Sequence, residues 1–267
     1  MCILLPMWDL FTPDETRWYR WRLDGAIAYL RKNGDEWRTA FAPVRFQDLG
    51  NDSGGPEPAE SSADADASFT VAHGSSVALR PRMSERPYLV VSRNDVLILG
   101  GAEARFEGGL PAMFRFELGT GDSLGESLPY HLSSTWFGDK TSGVLCWSLP
   151  TALDPRCCGE TLDESHDATE DCRSVVRCEI VVRNDSKTPL ELKRLAVYTD
   201  LLNIYEAGGR LETDTVRVDG LADGGLHMRV EDSPAAMGRK LLTPARVGQR
   251  ELFVRRGVNF LRSVTGM

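Results

Sequence analysis

The densest collection of chemically capable side chains in this sequence lies between Tyr130 and Trp147. Trp136 and Phe137 stand against Gly138 and Asp139, with Tyr130 and His131 a few positions upstream. Aromatic faces stack on sugars or bases, while a carboxylate and an imidazole add directional hydrogen bonds. Tyr130, His131, Trp136, Phe137 and Asp139 are therefore read as a ligand-binding platform. The plainer reading makes Trp136 and Trp147 core anchors and Gly138 to Gly143 a hairpin turn; it carries more weight, but no other stretch offers a better surface. A second group, Cys157, Cys158, His166 and Cys172, sets three thiols and an imidazole within sixteen positions. Such a set can close a tetrahedral zinc site, and the surrounding carboxylates favour cation entry. Its spacing is poor, because adjacent cysteines strain the backbone when they ligate one ion, and a solvent-exposed insertion between strands is the stronger reading. Zinc is the one cofactor the residues allow for.

The segment Gly121, Asp122, Ser123, Leu124 and Gly125 matches G-x-S-x-G and resembles the signature of the GDSL lipases and esterases. Asp163 and His166 form a D-x-x-H pair of the kind that family uses for its orienting acid and base. That chemistry needs the serine on a tight turn from strand into helix. Here Pro129 forbids a helix of useful length after Ser123, and 40 positions separate Ser123 from Asp163, too few for the intervening elements. A Gly-rich loop between strands is the expected structure. No Gly-rich phosphate cradle with its lysine occurs, and no basic stripe interleaved with aromatics was found, so nucleic acid is not an expected partner.

The elements that must position these residues are strands. Val176, Cys178, Ile180 and Val182 alternate with Arg177, Glu179, Val181 and Arg183; Asn184 to Pro189 form a polar turn, and Leu190, Leu192 and Arg194 follow. Period-two alternation on both sides of a turn describes two half-buried antiparallel strands. The same grammar places strands at 88–92, 96–99, 104–107 and 113–118, with Phe114, Phe116 and Leu118 on one face and Arg115 and Glu117 on the other. Further strands are expected at 143–149, 197–202, 215–218, 226–230 and 251–255. Near the start, Asn33-Gly34 predicts a type I′ hairpin with Lys32 opposite Asp35, Arg31 opposite Glu36 and Leu30 opposite Trp37. Thr12, Pro13, Asp14 and Glu15 read as a helix start with a capping carboxylate, and Ala235 to Leu242 as a second short helix. The fold class is all-β: an antiparallel, sandwich-like chain, or two packed β modules meeting near Ser127, with one or two short helices. The modules would be 1–126, with a disordered acidic linker at 50–68, and 127–267, with an acidic loop at 155–172.

Charge and cysteine content narrow the setting. The formal net charge is −8, with 39 acids against 31 Lys and Arg. Eleven of the acids lie in Gly50 to Asp66 and Cys157 to Asp171, so the rest of the chain is close to neutral, and the acidity says little about partners. Six cysteines in 267 residues are too few for a disulfide scaffold. Cys146 and Cys178 fall on strands as small core residues. No apolar run is long enough for a transmembrane helix, and the first residues lack the basic leader of a signal peptide, so the chain reads as cytoplasmic.

Ser134, Thr135, Trp136, Phe137, Gly138 and Asp139, followed by Gly143, Leu145 and Cys146, resemble the central signature of the prokaryotic family named domain of unknown function 432. Val182 to Asp185, Pro189, Leu190 and Leu211 to Val218 resemble its second half, and Trp21 to Trp37 its opening hairpin. The resemblance covers most of the chain outside the two acidic segments. It implies a soluble, intracellular prokaryotic protein and brings no activity with it. The function expected is a binding, regulatory or interaction module whose partner is a protein or small ligand. The rivals are a hydrolase, either a carboxylate-based glycoside hydrolase or a metal-assisted enzyme, and a structural subunit of a homo-oligomer.

Overall fold

The computed structural model describes residues 7–23, 26–43, 55–60, 67–71, 75–83, 87–119, 130–131, 144–146, 175–220, 226–231 and 238–247. In chain order the strands are β1 (Trp18–Leu23), β2 (Ala26–Asn33), β3 (Glu36–Pro43), β4 (Glu57–Ala59), β5 (Ala67–Thr70) and β6 (Ser76–Arg82). Then come β7 (Tyr88–Ile98), β8 (Glu103–Pro111), β9 (Met113–Gly119), β10 (Tyr130–His131), β11 (Val144–Cys146) and β12 (Val175–Asn184). The last six are β13 (Leu190–Val197), β14 (Ile204–Ala207), β15 (Arg210–Thr213), β16 (Thr215–Gly220), β17 (Leu226–Glu231) and β18 (Lys240–Thr243). The protein is all-β: among the described residues the one helical turn is the 3-10 segment Thr199–Leu201. They group into two compact units, Met1–Arg82 with Met113–Gly138, and Met83–Ala112 with Asp139–Met267. The units interleave along the chain, whereas the division near Ser127 falls outside the described residues.

In the first unit, β4-β1-β2-β3-β5 form one antiparallel sheet and β10-β9-β6 another. Tyr19, Trp21 and Leu23 of β1, Ala28 and Leu30 of β2 and Trp37 of β3 turn inward and are buried. From the other sheet come Val77 and Leu79, together with Phe114, Phe116 and Leu118 on the face that alternation assigned to them. Trp21 meets Phe116 edge-on at 5.1 Å between ring centroids, and Phe11 meets Tyr19 at 4.6 Å. Edge-to-face packing of this kind adds to the burial of large rings, so the sandwich is locked chiefly by aromatics.

The opening hairpin forms, but one position later than the Asn-Gly pair implies. Asn33 lies opposite Glu36, Lys32 opposite Trp37 and Leu30 opposite Thr39. Moving the turn by one residue leaves the same side chains facing inward, so alternation cannot distinguish the two registers. The turn itself decides. Gly34, at φ 59, is its only residue with positive φ, the requirement of a type II′ turn with Gly in the first central position. Its N–H donates to Glu15 Oε2 at 2.7 Å, and Lys32 Nζ donates to Oε1 of the same carboxylate. Glu15 was expected to cap a helix. It bridges Lys32 instead, and Thr16 at φ 65 turns the chain away from helical geometry.

Part of the acidic segment expected to be a disordered linker is ordered. Glu57–Ala59 form β4 on the edge of β1, and Glu57 Oε1 accepts from Arg20 Nε at 2.6 Å and Arg22 Nε at 2.7 Å. Composition argued for disorder because this segment has little to bury; the strand is held by backbone pairing and charge.

In the second unit, β12 is the hub. β8 runs antiparallel along one edge of β12, and β15 followed by β16 run parallel along the other, within the order β17-β16-β12-β15-β14-β18. The sheet is thus mixed rather than wholly antiparallel. Val176, Cys178, Ile180 and Val182 are buried as the alternation requires. The strand after the polar turn does not pair back onto β12, however. β13 joins β7 in a separate sheet of order β11-β7-β13, so Asn184 to Pro189 form a corner between sheets rather than a hairpin. β7 itself is one strand, and the break expected at Arg93 to Asp95 is an irregularity in its ladder with β13. The helix expected at Ala235 to Leu242 is replaced at its end by β18, which pairs with β14.

Asn184, 1% exposed, holds the corner. Its Nδ2 donates to Ile98 O at 2.9 Å and Thr188 O at 2.8 Å, and its Oδ1 accepts from Ser186 N at 3.0 Å and Ser186 Oγ at 2.7 Å. Gly100 lies against the same corner, where an added Cβ would stand 2.7 Å from Ser186 O. Asn184→Ala should cost about 3 kcal/mol in urea unfolding, because buried carbonyls lose their donor. Gly100→Ala should also destabilise, and the double variant should depart from additivity by more than about 0.5 kcal/mol because both strain one corner. Acid should act through Glu57. Burial pushes its carboxyl up, but hydrogen bonds and charge from Arg22 and Arg20 outweigh that and hold it below the ordinary range. A lowered folded pKa contributes stability that is present above the unfolded value, about 4.3, and lost as pH falls through the folded one. Glu57→Gln should therefore be less stable than wild type at pH 7, and the gap should close on acidification through that window, as read by urea unfolding across pH.

Candidate functional site

Two of the sequence-predicted platform residues lie on β10, where Tyr130 pairs with Leu118 and His131 with Glu117 of β9. Trp136, Phe137 and Asp139 lie outside the described residues. So do Cys157, Cys158, His166 and Cys172, together with Ser123 and Asp163. Among the described residues, no group of three or more His, Cys, Asp or Glu side chains is arranged to hold a metal ion.

What the structure brings together next to β10 is a charged cluster that sequence reading missed. Arg115 of β9 is only 7% exposed, and both its Nε and Nη2 donate to Glu117 Oε1. β6 pairs with β9 so that Arg80 stands directly opposite Arg115, and Ala78 opposite Glu117. Arg80 is half-buried and donates from Nη1 to the Trp8 carbonyl at 2.7 Å. Burial pulls the Arg80 pKa down, and the charges of Glu117 and Asp9 push it back up. Two guanidinium groups therefore share one rung, with the Glu117 carboxylate on the next and the charge of Asp9 acting on Arg80. Charge alternating with Phe114, Phe116 and Leu118 reads as a solvent face, and nothing in the sequence of β9 signals that this face is covered too.

Two other buried polar groups serve the scaffold. Asp214, 1% exposed, sits where the register of β12 shifts by one residue between β15 and β16. Its Oδ2 accepts from Asn203 N at 2.9 Å and Asn203 Nδ2 at 2.8 Å, and its Oδ1 accepts from the Tyr205 hydroxyl at 3.0 Å. Three donors stabilise the charge and fix the bulge at which the strand leaves β14 and takes up β17. Cys178 is a fully buried free thiol. Burial raises its pKa strongly, and the Asp214 and Glu179 carboxylates add to the rise, so it is an inert core residue as its place on the strand implied.

A family profile, described as a protein of unknown function, matches residues 7–261. The chain belongs to the DUF432 family. No curated protein and no solved structure matches it. The DUF432 assignment brings no residue roles, so the site must be argued from geometry. Among the described residues, no helix is long and apolar enough to cross a membrane.

The charged cluster of this DUF432 chain makes a direct energetic prediction. Glu117→Gln takes from the buried Arg115 the carboxylate that its Nε and Nη2 both meet and should destabilise by about 3 kcal/mol. The double variant Arg115→Met/Glu117→Leu should cost less than the sum of the single changes, because the apolar pair leaves no buried charge uncompensated. Urea unfolding of wild type, Glu117→Gln, the single changes Arg115→Met and Glu117→Leu, and the double variant checks both statements.

Proposed function

We propose that this protein is a cytoplasmic binding module that takes its ligand along the segment beginning at β10, with Tyr130, His131, Trp136, Phe137 and Asp139 as the contacting residues. The observation that carries this reading is the ladder that puts His131 in register with Glu117, beside the Arg80–Arg115 rung. A buried ion pair rarely improves stability over apolar residues of the same size, so a fold that keeps one next to an aromatic segment has a use for its field. The aromatic side chains add stacking area for a planar or sugar-like body. Small ligands fit this description better than a flat protein partner, because the groups are few and directional. The cytoplasmic setting is supported by the cysteine content and by the buried thiol of Cys178.

A thermal-shift screen of purified protein against nucleotides, sugar phosphates, amino acids and neutral sugars tests the reading. A ligand present at 100 times its dissociation constant stabilises by about 2.7 kcal/mol, a visible rise in Tm. The expected hit carries a planar or sugar-like body, and Trp136→Ala abolishes its shift while the variant's own unfolding remains cooperative. A screen in which every compound is flat, or a hit indifferent to Trp136→Ala, overturns the proposal.

A further inference from the structure

A second binding feature lies on the outer face of the five-stranded sheet, remote in sequence from β10. One rung crosses all five strands: Ala59 of β4, Trp18 of β1, Arg31 of β2, Arg38 of β3 and Ser68 of β5, each in register with the next. Arg31 and Arg38 are therefore directly opposed, an arrangement in which like charges destabilise a sheet. The face neutralises its other arginines. Arg20 and Arg22 share Glu57, and Arg38 Nε donates to Glu36 Oε1 at 2.9 Å, an oxygen that also accepts from Ser68 Oγ. Arg31 makes no such ion pair among the described residues, and Glu36 reaches it only through its charge. Its guanidinium lies 6.0 Å from the centroid of the Trp18 ring, and its Nε is buried without a hydrogen-bond partner among the described residues. Arg31, Asn33, Glu36 and Arg38 line a depression of about 60 Å³.

We propose that this depression binds a small oxyanion, a carboxylate or phosphate group gripped by Arg31 and Arg38, with the Asn33 amide as a further donor. Two guanidinium charges against the one carboxylate of Glu36 leave a single positive charge, which a singly charged oxyanion balances. The planar fork of arginine matches the geometry of such groups, and the indole beside Arg31 restricts where that fork can point. The volume suits one oxyanion group and excludes the body of a larger ligand, which would extend over the sheet. The Glu36 carboxyl is held below its ordinary range by hydrogen bonds from Arg38 and Ser68, so it stays ionised at neutral pH and sets the charge the site can accept.

The test is a titration of the full chain with inorganic phosphate and, separately, with acetate, at constant ionic strength maintained with chloride. Nitrogen-labelled protein reports through the Arg31 Nε–H and Trp18 indole N–H resonances. Saturable shifts with phosphate alone assign a phosphate source, and comparable saturation with acetate assigns a carboxylate source. Arg31→Gln should weaken binding by about tenfold or more. Arg31→Lys keeps the charge beside Trp18, guarding against loss of fold, and should still bind several-fold more weakly because the fork is gone. Arg105→Gln, on β8 in the other unit, should leave binding unchanged. Shifts that grow linearly and match those in chloride, or that persist undiminished in both Arg31 variants, overturn the proposal. Because these resonances lie far in sequence from β10, the outcome is independent of the Trp136 screen.

Discussion

The second unit depends on how one buried amide ends one strand. Asn184 closes β12, and its side chain and backbone reach the end of β7, the start of β8 and the turn leading into β13. Its N–H donates to Ala102 O at 2.9 Å, its carbonyl accepts from Gly101 N at 2.7 Å, and Asp185 N adds a bond to Gly220 O at the end of β16. A polar residue this deeply buried is tolerable only when every donor and acceptor is satisfied, and satisfying them requires all of these chain segments to converge. Convergence forces β13 away from β12 into another sheet. That in turn frees the second edge of β12 for the parallel ladders with β15 and β16, and Asp214 sets the point at which one ladder gives way to the next.

Arginine plays the comparable part in the first unit. Several of its side chains are placed by the anion they meet. Glu57 draws β4 onto the sheet edge because Arg20 and Arg22 need one counter-charge between them. Glu117 permits Arg115 to be buried. Lys32 is drawn to Glu15, which also receives the N–H of the hairpin turn, so a single carboxylate couples the charge pattern to the register. Arg31 is the member of this set that makes no ion pair among the described residues, since Glu36 on the neighbouring rung is hydrogen-bonded to Arg38, and the sheet keeps Arg31 opposite Arg38 regardless.

Much of this was legible in the residues. Alternation identified the inward faces of β9 and β12, the strands on either side of Gly100, and the core role of Cys178, because period two is a local property of a strand with one buried side, whereas β8 runs on through Gly108 and Gly109 to Pro111. The hairpin near Gly34 was also legible, but its register was not: two registers differing by one turn position bury the same Leu30 and Trp37. Helix signals at Thr12 to Glu15 and Ala235 to Leu242 misled for one reason, which is that capping and turn residues report local preference and are overridden when backbone bonds to other strands are on offer. Type and spacing singled out the aromatic residues of the proposed platform, of which Tyr130 alone is described, whereas Arg80, Arg115 and Glu117 were not legible, since charge at alternate positions is the usual mark of a solvent face.

The sequence by itself determined that this chain is built of strands and which side of most strands is apolar. Those properties depend on neighbours one or two positions away. Tertiary structure alone decided which strands pair, that Asn184 turns a corner instead of closing a hairpin, and that Glu57 lies against arginines more than thirty positions earlier. It also decided which charges are buried together. The physical reason is that a hydrogen bond or ion pair between distant segments has no signature in either segment, so its partner becomes visible only when the sheets are assembled.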